Sequence, residues 1–196
     1  MSRTVVVRRN GVFDLDQFVS DCRAVLGQEP AQPAVRELVA RAVSEPSEVL
    51  RALGGPARGG IYVLHRSPEL TVLNVVWAPW MNLLPHNHRM WAVIGIYTGR
   101  EDNMFWRRIR GAPGGKVEAV GARALCLGDA EPLGRDVIHS VTNPIPRLTG
   151  AIHVYGGDFF AVARSEWDAE TLLERPTEGA KMARRLEEAN ALFLRS

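Results

Sequence analysis

The sequence predicts a mainly β protein, an antiparallel sandwich or barrel with a pocket, set between a helical start and a helical end. Three observations carry that reading. From Gly60 to about Tyr155 the chain is a succession of short β-branched or aromatic segments divided by turn residues. Ahead of Gly60 the apolar residues recur at helical rather than alternating spacing, and beyond Pro176 they do so again. Seven or more short strands in such close succession pack as a barrel or two-sheet sandwich, which leaves few open edges.

In chain order, Val5 to Val7 form a short apolar start. Asp14 to Leu26 then places Leu15, Phe18, Val19, Cys22, Val25 and Leu26 at helical spacing, with Asp14 as N-cap and Gly27 as the residue just past the helix. A second helix is expected from about Ala31 to Val43, with Val35, Leu38, Val39 and Ala42 on one face. A third runs from Pro46 to Leu53, proline being favoured in a first turn. Gly54-Gly55-Pro56 and Gly59-Gly60 end the helical pattern. Strands follow near Ile61 to His65, Leu70 to Trp77, His88 to Tyr97, Asn103 to Arg110, Lys116 to Leu125, Asp136 to Val141 and Leu148 to Tyr155. Thr98 to Asp102 and Gly111 to Gly115 read as hairpin turns. Asp168 to Glu174 and Glu178 to Leu194 read as helices, the second packing Met182, Leu186, Ala189 and Phe193 on the sheet.

A chain of 196 residues suits one domain, 1–196, comprising a helical N-terminal segment (1–58), a β-barrel (60–158) and a C-terminal helical segment (165–196). The 24 Lys and Arg are interspersed with 22 Asp and Glu, for a net charge of +2, which argues against nucleic acid and membrane surfaces as partners. No apolar run approaches the roughly 18 residues that cross a bilayer, and the start lacks a signal-peptide core, so a cytoplasmic protein is expected. Cys22 and Cys126 form neither a CxxC site nor a disulfide framework and are both expected as buried thiols.

The chemistry concentrates in Pro85-His86-Asn87-His88. Histidines separated by one residue face the same side of a strand, and random placement would give only about 0.1 such pairs. His139 lies in a second β-branched stretch, after Gly134 and before Asn143-Pro144. Neutral imidazoles from two strands would hold a divalent metal and leave open positions. By contrast His65, alone on its strand, reads as a solvated or core histidine. Trp77, Trp80, Trp91, Phe105 and Trp106 read as packing, and Arg100, Arg107, Arg108 and Arg110 as a solvated strand edge.

This pairing resembles the two cupin motifs. The first, His-x-His followed by Glu and Gly, maps onto His86, His88, Ala92 and Gly99, with Ala92 in the Glu place. The second maps onto Pro132, Gly134, His139 and Asn143. A three-histidine cupin lacking the carboxylate ligand resembles the cysteine dioxygenase (thiol dioxygenase) family, over about Gly60 to Asp158. The resemblance implies a cupin double-stranded β-helix (jelly-roll barrel), Fe(II) on His86, His88 and His139, and oxidation of a small thiol by O₂ to a sulfinate. An all-nitrogen ligand set leaves the metal its full charge, which favours an anionic ligand such as a thiolate.

In that family a Ser-x-His-x-Tyr segment supplies a hydrogen-bonded relay. Here Ala151, His153 and Tyr155 share a face, so His153 and Tyr155 are carried over as catalytic residues and Ala151 is not. Ala92 rules out a thioether crosslink to Tyr155. The family's carboxylate-holding Arg or Gln falls at Gly60 or Ile61, so the usual anchor is absent, and Arg58 and Arg66 are the nearest cations. Arg58, Ile61, Met90 and Ala92 are the candidate substrate-binding residues. Zinc, nickel or copper also suits three imidazoles. An oxygenase acting on a non-thiol substrate, a Lewis-acid isomerase or lyase, and a non-catalytic small-ligand binder therefore stay open as alternatives.

Overall fold

The computed structural model describes residues 12–193, so the apolar start at Val5 to Val7 lies outside the described residues. Helix α1 (Leu15–Val25) is capped by Asp14, whose Oδ1 accepts from the Gln17 amide at 2.8 Å. Helices α2 (Ala31–Val43) and α3 (Pro46–Leu53) follow where the apolar spacing places them.

The strands are β1 (Gly60–Arg66), β2 (Thr71–Trp77), β3 (Asn82–Asn87), β4 (Ala92–Thr98), β5 (Arg100–Arg108), β6 (Val117–Cys126), β7 (Ala130–Leu133), β8 (Ile138–Thr142), β9 (Thr149–Tyr155), β10 (Ser165–Trp167) and β11 (Glu174–Pro176), and helix α4 (Gly179–Phe193) comes last. They form two antiparallel sheets, β1-β2-β9-β4-β7 and β11-β10-β3-β8-β5-β6. Within β2 to β9 the first strand pairs with the last, β3 with β8, β4 with β7 and β5 with β6. That nested pairing, split between two facing sheets, is the jelly roll or double-stranded β-helix.

Strands β2 and β9 are buried along their whole length. Their inner face, with Leu73, Val75, Trp77, Ala151 and Tyr155, packs towards the other sheet. Their outer face, with Val72, Ile152 and Val154, is covered by α1 to α3. Burial on both faces is why these strands read as continuous apolar runs. Helix α2 approaches β4 at Gly95, where a Cβ would collide with the Val39 and Val43 side chains. Gly95→Ala should therefore destabilise the chain by about 1–3 kcal/mol, because both neighbours lie in a close-packed layer. Urea unfolding midpoints check this, and an unchanged midpoint would mean that α2 shifts freely.

Several expectations are corrected. His86 and His88 do not open the strand that runs to Tyr97. His86 lies near the end of β3, His88 just after it, and β4 begins only at Ala92, past Arg89 in a left-handed conformation (φ 58°). Residues 98–102 are not a hairpin. Gly99 (φ 81°) carries the chain from β4 in one sheet to β5 in the other, and a Cβ there would strike Thr149. The C-terminal segment is not all helix, since Asp168 to Glu174 is the β10–β11 connection and the first residue of β11. Asp168 Oδ1 accepts from the Glu170 and Thr171 amides, the same local chemistry that opens a helix, so this turn mimics an N-cap in sequence. Cys22 is buried, its thiol pushed up to about 12 by desolvation, whereas Cys126 is exposed at the end of β6. Asn143 is a structural brace, donating to the Trp77, Ala78 and Arg147 carbonyls.

Candidate metal centre

The inner faces of the two sheets meet at three imidazoles. Pro85 cannot donate to a ladder, and the β3–β8 register slips between Leu83 and His86. Beyond that slip His86 stands opposite His139 on β8, their ring centroids 4.5 Å apart. His88, two residues on, turns to the same side, 5.1 Å from His86 and 4.9 Å from His139. One ring nitrogen from each of the three lies within 4.8 Å of the others.

Hydrogen bonds decide which nitrogen faces inward. His86 Nδ1 meets the Leu84 carbonyl at 2.9 Å, and a carbonyl only accepts, so Nδ1 carries the proton and Nε2 a lone pair. His139 Nδ1 meets Asn103 Oδ1 at 2.7 Å with the same consequence. His139 Nε2 then faces His88 Nε2 at 3.3 Å, an edge that two metal bonds of about 2.1 Å span. Burial pushes His86 down to about 4, helped by Arg164 and Arg185, and pushes His88 and His139 well below the usual imidazole range. Three neutral imidazoles whose nitrogens converge, two of them held from behind by an acceptor on Nδ1, fit a divalent metal.

Beside the cluster, His153 and Tyr155 project from β9, with His153 Nδ1 3.0 Å from the Tyr155 hydroxyl. The Tyr155 ring stands edge-on to His88 at 5.0 Å. Burial lowers His153 to about 3 and raises the Tyr155 phenol, which nearby Arg164 partly opposes. Behind His139, Asn103 donates to Glu101 Oε1 at 2.9 Å, and Trp77 Nε1 donates to Glu101 Oε2 at 2.7 Å. Glu101 is fully buried, and burial raises its carboxyl above the ordinary value.

The three histidines, His153 and Tyr155 line one cavity of about 40 Å³, room for a few water-sized groups. Of the expected substrate-side residues only Ile61 lines it. Arg58 is exposed and pairs with Glu187, and Arg66 pairs with Asp158 at the surface at 2.9 Å. Met90 borders a separate outer cleft, and Ala92 is packed in the core on β4 opposite Tyr155. The cation in the cavity is Arg164, which sequence reasoning missed. Its guanidinium lies 3.7 Å above the Phe159 ring and forms no ion pair with a carboxylate of the described residues, and burial lowers its pKa. Glu101 and Asn103 were missed because Thr98 to Asp102 looked like a polar turn, yet strand alternation sends Glu101 and Asn103 inward while Arg100 and Asp102 pair outside at 2.7 Å.

The depressed imidazoles make stability depend on pH in metal-free protein. Folded His86, His88, His139 and His153 bind protons less readily than the unfolded chain, whose value is 6.5. Their contribution is complete above pH 6.5 and is lost as pH falls towards about 4 for His86 and about 3 for His153. The slope reaches at most about 1.4 kcal/mol per pH unit for each imidazole. Glu101, raised above 4.5, acts in the opposite sense, its share growing as pH falls through the raised value. Urea midpoints of chelator-treated protein should thus fall from pH 7 to 4.5, and a flat profile would mean solvated imidazoles.

No helix of the described residues is long and apolar enough to cross a membrane. No family model matches the chain. Among solved structures it is similar to a cupin-family protein with a double-stranded β-helix fold from Methanocaldococcus jannaschii, at 9% identity and TM-score 0.45 over 55% of this chain and 87% of that one. A double-stranded β-helix protein from Klebsiella pneumoniae gives 12% identity and TM-score 0.38 over 63% of this chain and 88% of that one. Oxalate decarboxylase from Bacillus subtilis gives 15% and 0.38, over 48% of this chain and only 22% of the enzyme. At such identities and TM-scores it is the chain's own nested strand order that makes this a double-stranded β-helix, with an all-histidine cluster between its sheets.

Proposed function

We propose that the protein is a non-haem iron(II) dioxygenase that oxidises a small, carboxylate-bearing thiol to its sulfinate in the cytoplasm. The observation that carries this reading is one small cavity shared by a three-imidazole cluster with no carboxylate among its ligands, the Tyr155 side chain and the Arg164 guanidinium, which has no ion pair among the described residues because Glu166, the carboxylate that also lines the cavity, pairs with Arg175. His86, His88 and His139 would hold the metal through Nε2. Iron(II) bound there would supply a Lewis-acidic, redox-active centre with positions open to a thiolate and O₂.

The chain's own groups do the rest. Arg164 would take the substrate carboxylate in a two-pronged contact, orienting the sulfur towards the histidines. The Tyr155 hydroxyl, held by His153, offers one polar contact at the reacting end. Leu73, Val75 and Phe159 are apolar walls that keep out excess water. The reaction balances without a further reductant: RSH + O₂ gives RSO₂H, sulfur losing four electrons and O₂ gaining four, with both oxygens ending on sulfur and the acid proton passing to solvent.

Oxygen uptake by anaerobically iron-loaded protein, across cysteine, 3-mercaptopropionate, cysteamine and neutral thiols, tests this. Uptake should require a thiol and be fastest with a carboxylate-bearing one. Thiol-independent behaviour at a filled site would refute the proposal and turn attention to Lewis-acid chemistry, for which zinc or nickel would serve.

A further inference from the structure

Glu101 is the one fully buried carboxylate among the described residues. Placing it there is costly unless its oxygens are occupied, and the fold occupies them with donors from Trp77 and Asn103. Two neutral donors can be matched by a neutral acceptor, so the charge-bearing group needs a further reason. The remaining direction leads to His153. Its Nε2 is buried, has no hydrogen-bond partner and lies 3.9 Å from Glu101 Oε2. Closing that gap to a normal hydrogen bond takes about 1 Å of ring movement, whereas leaving a buried ring nitrogen unpaired costs about 1–3 kcal/mol.

We infer that Glu101 is a positioning residue that fixes His153 as the Nε2–H tautomer and thereby sets the direction of the Tyr155 hydrogen bond. With the proton on Nε2, Nδ1 is an acceptor, and across the observed 3.0 Å contact the Tyr155 O–H donates to it. The phenol oxygen then presents lone pairs, not a proton, to the cavity. Without Glu101 the other tautomer becomes available, His153 donates, and Tyr155 is free to donate into the cavity instead.

The same carboxylate reaches the metal cluster from behind. Glu101 Oε1 takes the Asn103 amide N–H, which leaves Asn103 Oδ1 facing His139 Nδ1 and rules out the flipped amide. One side chain on β5 thus orients a ligand on β8 and the His153–Tyr155 pair on β9. A Ser hydroxyl two residues before His153 is absent, since Ala151 stands there, and Glu101 approaches the ring from the opposite sheet.

Glu101→Gln tests this, since it keeps the shape but turns one acceptor into a donor facing donors. Long-range ¹H–¹⁵N correlation on histidine-labelled, metal-free, full-length protein reads the His153 tautomer, assigned with His153→Asn. Wild-type protein should show Nε2–H, and Glu101→Gln should show Nδ1–H or a mixture with its fold intact by circular dichroism. An Nδ1–H wild-type ring overturns the inference even if the variant fails to fold, and so does an unchanged ring in a folded variant.

The consequence for turnover rests on the thiol oxygenase reading. There Glu101→Gln should lower kcat about 10–100-fold with KM little changed, and wild-type kcat in a variant whose ring has flipped would overturn the link to Tyr155. The two readings fail separately. A flipped ring in a protein that oxidises no thiol sinks the oxygenase proposal and leaves Glu101 in its role, and thiol oxidation by wild type with an indifferent His153 does the reverse.

Discussion

His139→Ala should empty the metal site and reduce thiol-dependent O₂ uptake to background. His139 is buried, stands in register with His86, faces His88 at 3.3 Å and is held from behind by Asn103. Its removal leaves two imidazoles, too few for the three-ligand platform of a catalytic site. It also strips Asn103 Oδ1 of its donor, which should cost a further 1–3 kcal/mol or so of stability. Metal content of purified protein would drop from about one per chain towards zero. His65→Ala is the control, because His65 lies on β1 outside the cluster and should leave metal content unchanged. Full metal occupancy in His139→Ala would remove the cluster from the account.

Arg164→Leu should discriminate among substrates more sharply than any other single change. Removing one partner of a buried charge pair costs about 2–5 kcal/mol, or roughly 30- to 5000-fold in kcat/KM. That loss should fall on cysteine and 3-mercaptopropionate and spare cysteamine, which has no carboxylate. Arg164→Lys keeps the charge but not the planar fork and should recover only part of it. Equal losses for all thiols would make Arg164 a packing residue over Phe159.

The legible part of the fold is the part whose signal is local. Helices α1 to α3 are marked by periodic apolar residues, by Asp14 as a cap and by Pro46 in a first turn. Strands β2 and β9 are visible as β-branched runs. Strand β3 is hidden because Pro85 interrupts it and a register slip spoils its alternation, and the strand expected from His88 to Tyr97 begins only at Ala92. Strand β7 is four residues long and contains Pro132, so no periodicity can build up. The β10–β11 turn copied the cap chemistry of a helix start.

The same division holds at the site. Period-two spacing predicts that His86 and His88 face one side and the β-branched setting of His139 makes it their companion, and the three rings do meet, although His88 lies just past the end of β3. What only the tertiary structure decided is which charged groups join them. Glu101 reaches the interior because Gly99 carries the chain across to the second sheet at the right phase. Arg164 lies beyond β9 and reaches the cavity only because the chain returns to pair β10 beside β3, with Glu166 opposite His86. Local periodicity encodes which way a side chain points, but a cavity is defined by two sheets packing about 10 Å apart, and the residues that meet across that gap keep no fixed separation in sequence.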